Sequence, residues 1–135
     1  MRAMQVFKKI CVTTKSRTEL IDITSKVEAV VRDSKVRDGV CRVFVPHTTA
    51  GITINENADK SVCDDILHEL NKIVPFDDAY EHAEGNSAAH IKSTIVGAAS
   101  TVFVENGELA LGTWQGVYFC EFDGPRSRNV YVNVS

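Results

Sequence analysis

No stretch of these 135 residues carries more than two consecutive lysines or arginines, and the net charge is only −3. With both signs interspersed, the chain lacks the electrostatic footprint that a phosphate backbone or an anionic membrane selects. Nucleic acid and membrane are therefore not expected partners. No apolar stretch is long enough to cross a bilayer, and the opening MRAMQVFKKICVTTK has no hydrophobic leader core because Lys8 and Lys9 interrupt it. A soluble, cytoplasmic protein is the expectation. No two of Cys11, Cys41, Cys63 and Cys120 stand at CxxC spacing, which speaks against a cysteine zinc site or a redox dithiol. All four read as apolar fillers. Linkers, internal repeats and low-complexity segments are missing too, so residues 1–135 read as one domain with a single hydrophobic core.

What is present is a clear succession of patterns. MQVFKKICVTT, residues 4 to 14, mixes β-branched and aromatic residues with lysines and predicts a half-exposed strand. DITSKVEAVVRDS follows with Ser25 and Glu28 at capping-box spacing and Val27, Val30 and Val31 on one helical face. VCRVFVPHTT predicts a strand with Cys41, Val43 and Val45 on one side, and strict alternation puts His47 on that side at its end. Residues 58 to 74 predict a helix buried through Val62, Ile66, Leu70 and Ile73 and stopped by Pro75, with Asn57 as a candidate cap. His68 falls on its polar side and is left out of any site.

The acidic segment PFDDAYEHAEG reads as a loop. A further helix starts near Asn86, with Ala88, Ile91, Ile95 and Ala98 on its apolar face and Asn86, His90 and Thr94 in a row along its edge. The last third alternates strongly: Asn106-Gly107 signals a hairpin, Gly124-Pro125 another turn, and about four strands are expected. The fold class is α+β, with antiparallel, sandwich-like sheets and two or three helices.

His47, His82 and His90 all fall at element ends or in loops, where a scaffold can hold them at a common point. Neutral imidazole is a common ligand for first-row metals, and Glu84 could complete such a shell or act as a base beside it. The spacing is neither HExxH nor a zinc-finger interval, so partly buried, hydrogen-bonding histidines are the competing reading. Thr48, Thr49, Ala50 and Gly51 beside His47 suit either an anion-binding concavity or a plain turn. Arg126 and Arg128 suit either bidentate recognition of an anion or a solvated hairpin tip. Trp114 suits core and ligand platform equally.

The motifs PHTTAGITINENAD, HAEGNSAAHIKS and LGTWQGVYFCEFDGPR, in this order, closely resemble the secondary thiamine-phosphate synthase family, also known as YjbQ-type, from about Val6 onward. The resemblance implies an α+β fold of sandwiched sheets and a homotrimer. It also implies that His47, His82, Glu84, Asn86, His90, Gln115 and Arg126 match the polar positions of the family's site. The implied activity joins hydroxymethylpyrimidine diphosphate to a thiazole phosphate with loss of pyrophosphate, either as the main role or as a side activity. At 135 residues the chain is too short for a (β/α)₈ barrel, so this activity would need an unrelated site.

On this expectation His47, His82 and His90 bind a divalent cation and, with Glu84, form the catalytic group. Thr48, Thr49, Asn86, Gln115 and Arg126 bind the small phosphorylated ligand. Imidazoles favour zinc, whereas a diphosphate would bring magnesium. Two rival readings use the same residues: a metal-dependent hydrolase in which Glu84 activates water, and a non-catalytic module that binds an anionic metabolite.

Overall fold

The computed structural model describes residues 6–135, so the first residues of the expected N-terminal strand lie outside it. Eight strands and three helices follow in the order β1 (Val6–Thr13), β2 (Glu19–Asp22), α1 (Thr24–Ser34), β3 (Gly39–Phe44), β4 (Ala50–Glu56), α2 (Lys60–Ile73), α3 (Ser87–Val96), β5 (Ala99–Glu105), β6 (Glu108–Leu109), β7 (Gln115–Glu121) and β8 (Ser127–Val134). The expected α+β architecture is what forms. One sheet has the order β1-β8-β3-β5-β6 and the other β2-β7-β4, and all pairings are antiparallel.

Alternation decides how the layers stack. Cys41, Val43, Val130, Val132 and Val134 turn one face of the larger sheet inward, onto Ile52, Val117 and Phe119 of the smaller one. Val27, Val30 and Val31 of α1 join the same core, as their helical spacing predicts. The smaller sheet is buried on both faces: Cys120 and Phe122 meet Ala89 of α3 and Leu67 and Leu70 of α2. This explains why β7 reads as the continuous run GVYFCE rather than an alternating one.

The opposite face of the larger sheet is open. Phe7, Phe44 and Phe103 stand 55%, 45% and 71% exposed there, with Tyr131 between Phe7 and Phe44 at ring-centroid distances of 5.3 and 6.2 Å. Cys11 is exposed as well, whereas Cys41, Cys63 and Cys120 are buried as expected. No helix among the described residues is long and apolar enough to cross a membrane.

Several local expectations change. Ser25 and Glu28 do not cap α1; Asp22 Oδ1 instead accepts the Thr24 backbone N–H at 2.9 Å, and the Thr24 hydroxyl accepts the Val117 N–H at 2.8 Å. Asp59, not Asn57, caps α2 by accepting from Ser61 N at 2.9 Å. Ile73 of α2 and Ile91 and Ile95 of α3 are exposed. The buried side of α3 consists of Ala88, Ala89, Lys92 and Ser93, because small residues let this helix lie close on the sheet. Gly51 marks the same closeness, since a Cβ there would stand 2.8 Å from the Gly97 carbonyl oxygen. Asn106 and Gly107, with φ of 53° and 78°, turn β5 into β6 as the hairpin signal predicts.

Candidate functional site

The scaffold of the site is a buried ion pair. Glu121, last in β7, and Arg128, in β8, are 0% and 3% exposed. Arg128 Nε donates to Glu121 Oε1 at 2.9 Å and its Nη2 donates to Oε2, a bidentate fork. Nη2 also donates to the Thr49 hydroxyl at 2.9 Å, and the Thr14 hydroxyl donates to Glu121 Oε1 at 2.8 Å. Burial alone would raise the Glu121 pKa, but the bonds from Arg128, Thr14 and the Asp123 N–H outweigh it and hold the carboxyl below its usual range. Four chain segments are locked together around these atoms.

His47 is set by the same strand. Its Nε2 accepts the backbone N–H of Asn129, the residue after Arg128, at 2.9 Å. Burial and the nearby Arg128 hold its pKa below the ordinary histidine value, against an opposing pull from Glu121. The ring is thus kept neutral.

His82 and Glu84 come from the loop before α3. Tyr80 donates its hydroxyl to the Pro75 carbonyl, and Gly85, at φ 76°, lets its N–H turn back to the His82 carbonyl at 3.3 Å. His82 and His90 meet edge to face with ring centroids 5.3 Å apart, and Glu84 Oε1 lies 4.0 Å from His82 Nε2. Asn86, at the N-cap of α3, makes no capping bond with its side chain. Its amide instead donates to Asp123 Oδ2 at 2.9 Å, a carboxylate that also takes Arg126 Nη2 at 3.1 Å. Asn86 Oδ1 is buried without a hydrogen-bond partner among the described residues.

These elements enclose a cavity of about 460 Å³ to which His47, Thr48, Thr49, His82, Glu84, Asn86, His90 and Arg126 all contribute, together with Pro46, Asp123 and Arg128. Eight of the nine residues expected from the sequence are therefore brought together. Gln115 is not. It accepts the Gly112 N–H at 2.8 Å and stands at the far end of β7 from Glu121, about 20 Å away at the rise of an extended strand. Trp114, 62% exposed, belongs to neither core nor site. Thr49 lines the cavity but its hydroxyl is committed to Arg128, which makes it part of the frame.

His82 and His90 meet in the cavity, whereas His47 is engaged with the backbone. With Nε2 of His47 occupied by a backbone donor, the neutral ring carries its proton on Nδ1 and has no free lone pair for a metal. Among the described residues no three of His, Cys, Asp and Glu converge closely enough to hold an ion. The nearby carboxylates of Asp123 and Glu121 are paired with the guanidinium groups of Arg126 and Arg128.

Glu121 is the cavity-framing residue that motif reading missed, and Arg128, weighed from the sequence as an anion binder or a solvated tip, instead forms the buried fork to it. The signal was there: Glu121 interrupts an otherwise apolar buried strand, and a charge at such a place requires a partner.

The family model for YjbQ-like UPF0047 proteins matches residues 8–135. The chain is 48% identical over 134 residues to UPF0047 protein MJ1081 of Methanocaldococcus jannaschii, covering 99% of this chain and 97% of that one. It is 50% identical over 130 residues to UPF0047 protein YugU of Bacillus subtilis, covering 96% and 98%. Among solved structures, an uncharacterised conserved protein from Clostridium acetobutylicum superposes with a TM-score of 0.94 at 52% identity, over 95% of this chain and 99% of that one. A protein of unknown function from Sulfolobus solfataricus does so with 0.93 at 35% identity, over 96% of each chain.

Proposed function

The chain belongs to the YjbQ-like UPF0047 family, and on that premise we propose that its polar cavity binds a diphosphate ester and transfers the esterified carbon to a nitrogen nucleophile. The specific reaction is thiamine-phosphate-synthase-like: hydroxymethylpyrimidine diphosphate condenses with thiazole phosphate. The observation that carries this reading is the convergence of Arg126, His82, His90 and the N-terminal end of α3 on one cavity.

In this reaction the bond between the methylene carbon and the diphosphate oxygen breaks and its electron pair leaves with the diphosphate. The thiazole nitrogen supplies the pair for the new C–N bond. No proton has to move, so the protein's task is to stabilise charge growing on the leaving group. Arg126 is half-exposed, and among the described residues its guanidinium holds only Asp123; such a pair is weak, and a diphosphate recruits the guanidinium at little cost. The uncapped start of α3 adds backbone N–H groups and the positive end of the helix dipole. His82 and His90 add ring donors beside them. Arg128 acts through position, holding Thr49 and the strand that fixes His47.

A second reading, hydrolysis, draws on Glu84 Oε1 at 4.0 Å from His82 Nε2, where the carboxylate could activate water. The homotrimer implied by the resemblance is part of the proposal; the exposed Phe7, Phe44 and Phe103 support it as apolar surface of the kind association covers.

The test is pyrophosphate release from hydroxymethylpyrimidine diphosphate with and without thiazole phosphate. Transfer requires both substrates and falls at least about tenfold in Arg126→Ala and His82→Ala, each removing a charged or polar contact to the leaving group. Release without thiazole phosphate, lost in Glu84→Gln, favours hydrolysis instead. Release by the wild-type protein that neither Arg126→Ala nor His82→Ala alters removes the cavity from the reaction.

A further inference from the structure

The segment that carries His82 and Glu84 has little to hold it down. No residue from 77 to 85 is buried, and Tyr80 alone among them is half-buried. The hydrogen bonds of residues 75–85 stay inside the segment: the Tyr80 hydroxyl to the Pro75 carbonyl, the Ala79 and Tyr80 N–H groups to Asp78, and the Gly85 N–H to the His82 carbonyl. The His82–Glu84 pair is internal as well. Among the described residues, what ties this segment to the rest of the domain is a pair of ring contacts. One is His82 against His90, which belongs to the cavity itself. The other is made by Phe76.

Two cationic groups lie over the Phe76 ring. Lys92 Nζ stands 3.8 Å from its centroid and the Arg17 guanidinium carbon 3.5 Å. They come from different walls of the site. Lys92 lies in α3, two residues beyond His90. Arg17 precedes β2, and its backbone carbonyl accepts the N–H of Gly124, the residue after Asp123, at 3.0 Å. A single ring therefore joins the loop of His82 and Glu84, the helix of His90 and the turn that carries Asp123 and Arg126.

The amine sits there at a cost. Lys92 is 0% exposed, and its Nζ has no hydrogen-bond partner among the described residues; a buried polar group in that condition is destabilising. Methionine would fill similar space without the penalty. What the amine has and a thioether lacks is attraction to the face of the ring, which strengthens once water is excluded.

We propose that Lys92 is a positioning residue: through Phe76 it anchors the loop of His82 and Glu84 against α3 and so sets His82 beside His90. Neither Lys92 nor Phe76 lines the cavity, so neither touches a ligand there. The effect on binding rests on the anion-binding reading of the cavity, whereas the anchor itself is independent of it.

The experiment compares wild type with Lys92→Met, Phe76→Leu and Phe76→Tyr at pH 7. Leucine keeps an apolar side chain without a ring face, and tyrosine keeps the face. Backbone order parameters of residues 77–85 and the NOE between the His82 and His90 rings are measured without ligand, with melting temperatures alongside and inorganic pyrophosphate binding by calorimetry. Lys92→Met melts no lower than wild type, because it removes an unsatisfied buried amine, yet its loop loses order and its ring NOE weakens. Phe76→Leu loses the same loop order, and Phe76→Tyr retains it. Pyrophosphate affinity falls about fivefold in Lys92→Met and Phe76→Leu, the size of one cation–π contact.

Loss of loop order without loss of stability is the signature that mere packing would not give. A loop as ordered in Lys92→Met as in wild type, or loosened only in step with a lower melting temperature, overturns the anchor. So does a Phe76→Tyr loop as loose as that of Phe76→Leu. Loop order lost as described, in a protein whose wild type binds no pyrophosphate, leaves the anchor standing and overturns the anion-binding reading.

Discussion

His47 Nε2 accepts the backbone N–H of Asn129 at 2.9 Å, so the imidazole nearest the buried ion pair is a structural acceptor with its proton on the other nitrogen. Protonation has to break this bond and place a cation beside Arg128. Burial and that guanidinium together keep the folded pKa below the usual histidine value of 6.5. The unfolded chain therefore binds the proton more readily, and the stability contributed by neutral His47 is complete above about pH 6.5 and lost as pH falls below it. The difference in melting temperature between wild type and His47→Gln should shrink on acidification below pH 6.5, and the His47 ring should titrate below that value by NMR. A midpoint above it would contradict the arrangement.

Arg126, in the β7–β8 turn, and Arg128, in β8, should respond differently to loss of their partners. Glu121→Gln leaves the buried Arg128 without its counter-charge and should cost about 3–5 kcal/mol, read by chemical denaturation. Arg126→Ala disrupts only a half-exposed pair and should cost less than about 1 kcal/mol. Equal losses would mean that the frame is not where the structure puts it.

Lys92 is fully buried, its Nζ 3.8 Å over the Phe76 ring with no hydrogen-bond partner among the described residues. Burial, with Arg17 adding to it, pushes its pKa from 10.5 down to about 8. Between those values the unfolded chain holds more protons, so this residue's contribution to stability rises with pH. Cys41 and Cys120 act the other way, because burial pushes their thiols up to about 11 and about 12, but they cancel in a comparison with Lys92→Met. Wild-type stability relative to that variant should increase from pH 8 to pH 10. A flat difference would show that the amine finds a partner.

The layers and most elements were legible because period and burial agree in them: β3 alternates, α1 carries its valines on one stripe, and Asn106-Gly107 can hardly be anything but a hairpin. The helices against the smaller sheet were misread at their faces. In α3 the isoleucines form the obvious apolar stripe, yet contact with β4 is decided by backbone approach at Gly51 and Gly97, which favours Ala88, Ala89 and Ser93. In the site, residue type identified the histidines and Arg126, but type is silent about which lone pair is free. The bond that His47 Nε2 accepts from Asn129 could not be read from residue type, and a motif says nothing of the strand length that separates Gln115 from Glu121.

Because His47 Nε2 accepts the Asn129 N–H, dialysis against EDTA should leave the melting temperature unchanged. One equivalent of zinc retained through purification, and lost in His82→Ala, would instead place a metal centre at these histidines.

The most direct measurement is a titration of the protein with inorganic pyrophosphate followed by NMR. Saturable shifts confined to His82, His90, the first amides of α3 and Arg126, weakened at least about tenfold by Arg126→Ala, are the predicted result. No saturable binding, or shifts centred instead on the separate cavity between α1 and the β5–β6 hairpin around Arg32, Lys35 and Arg37, would contradict it.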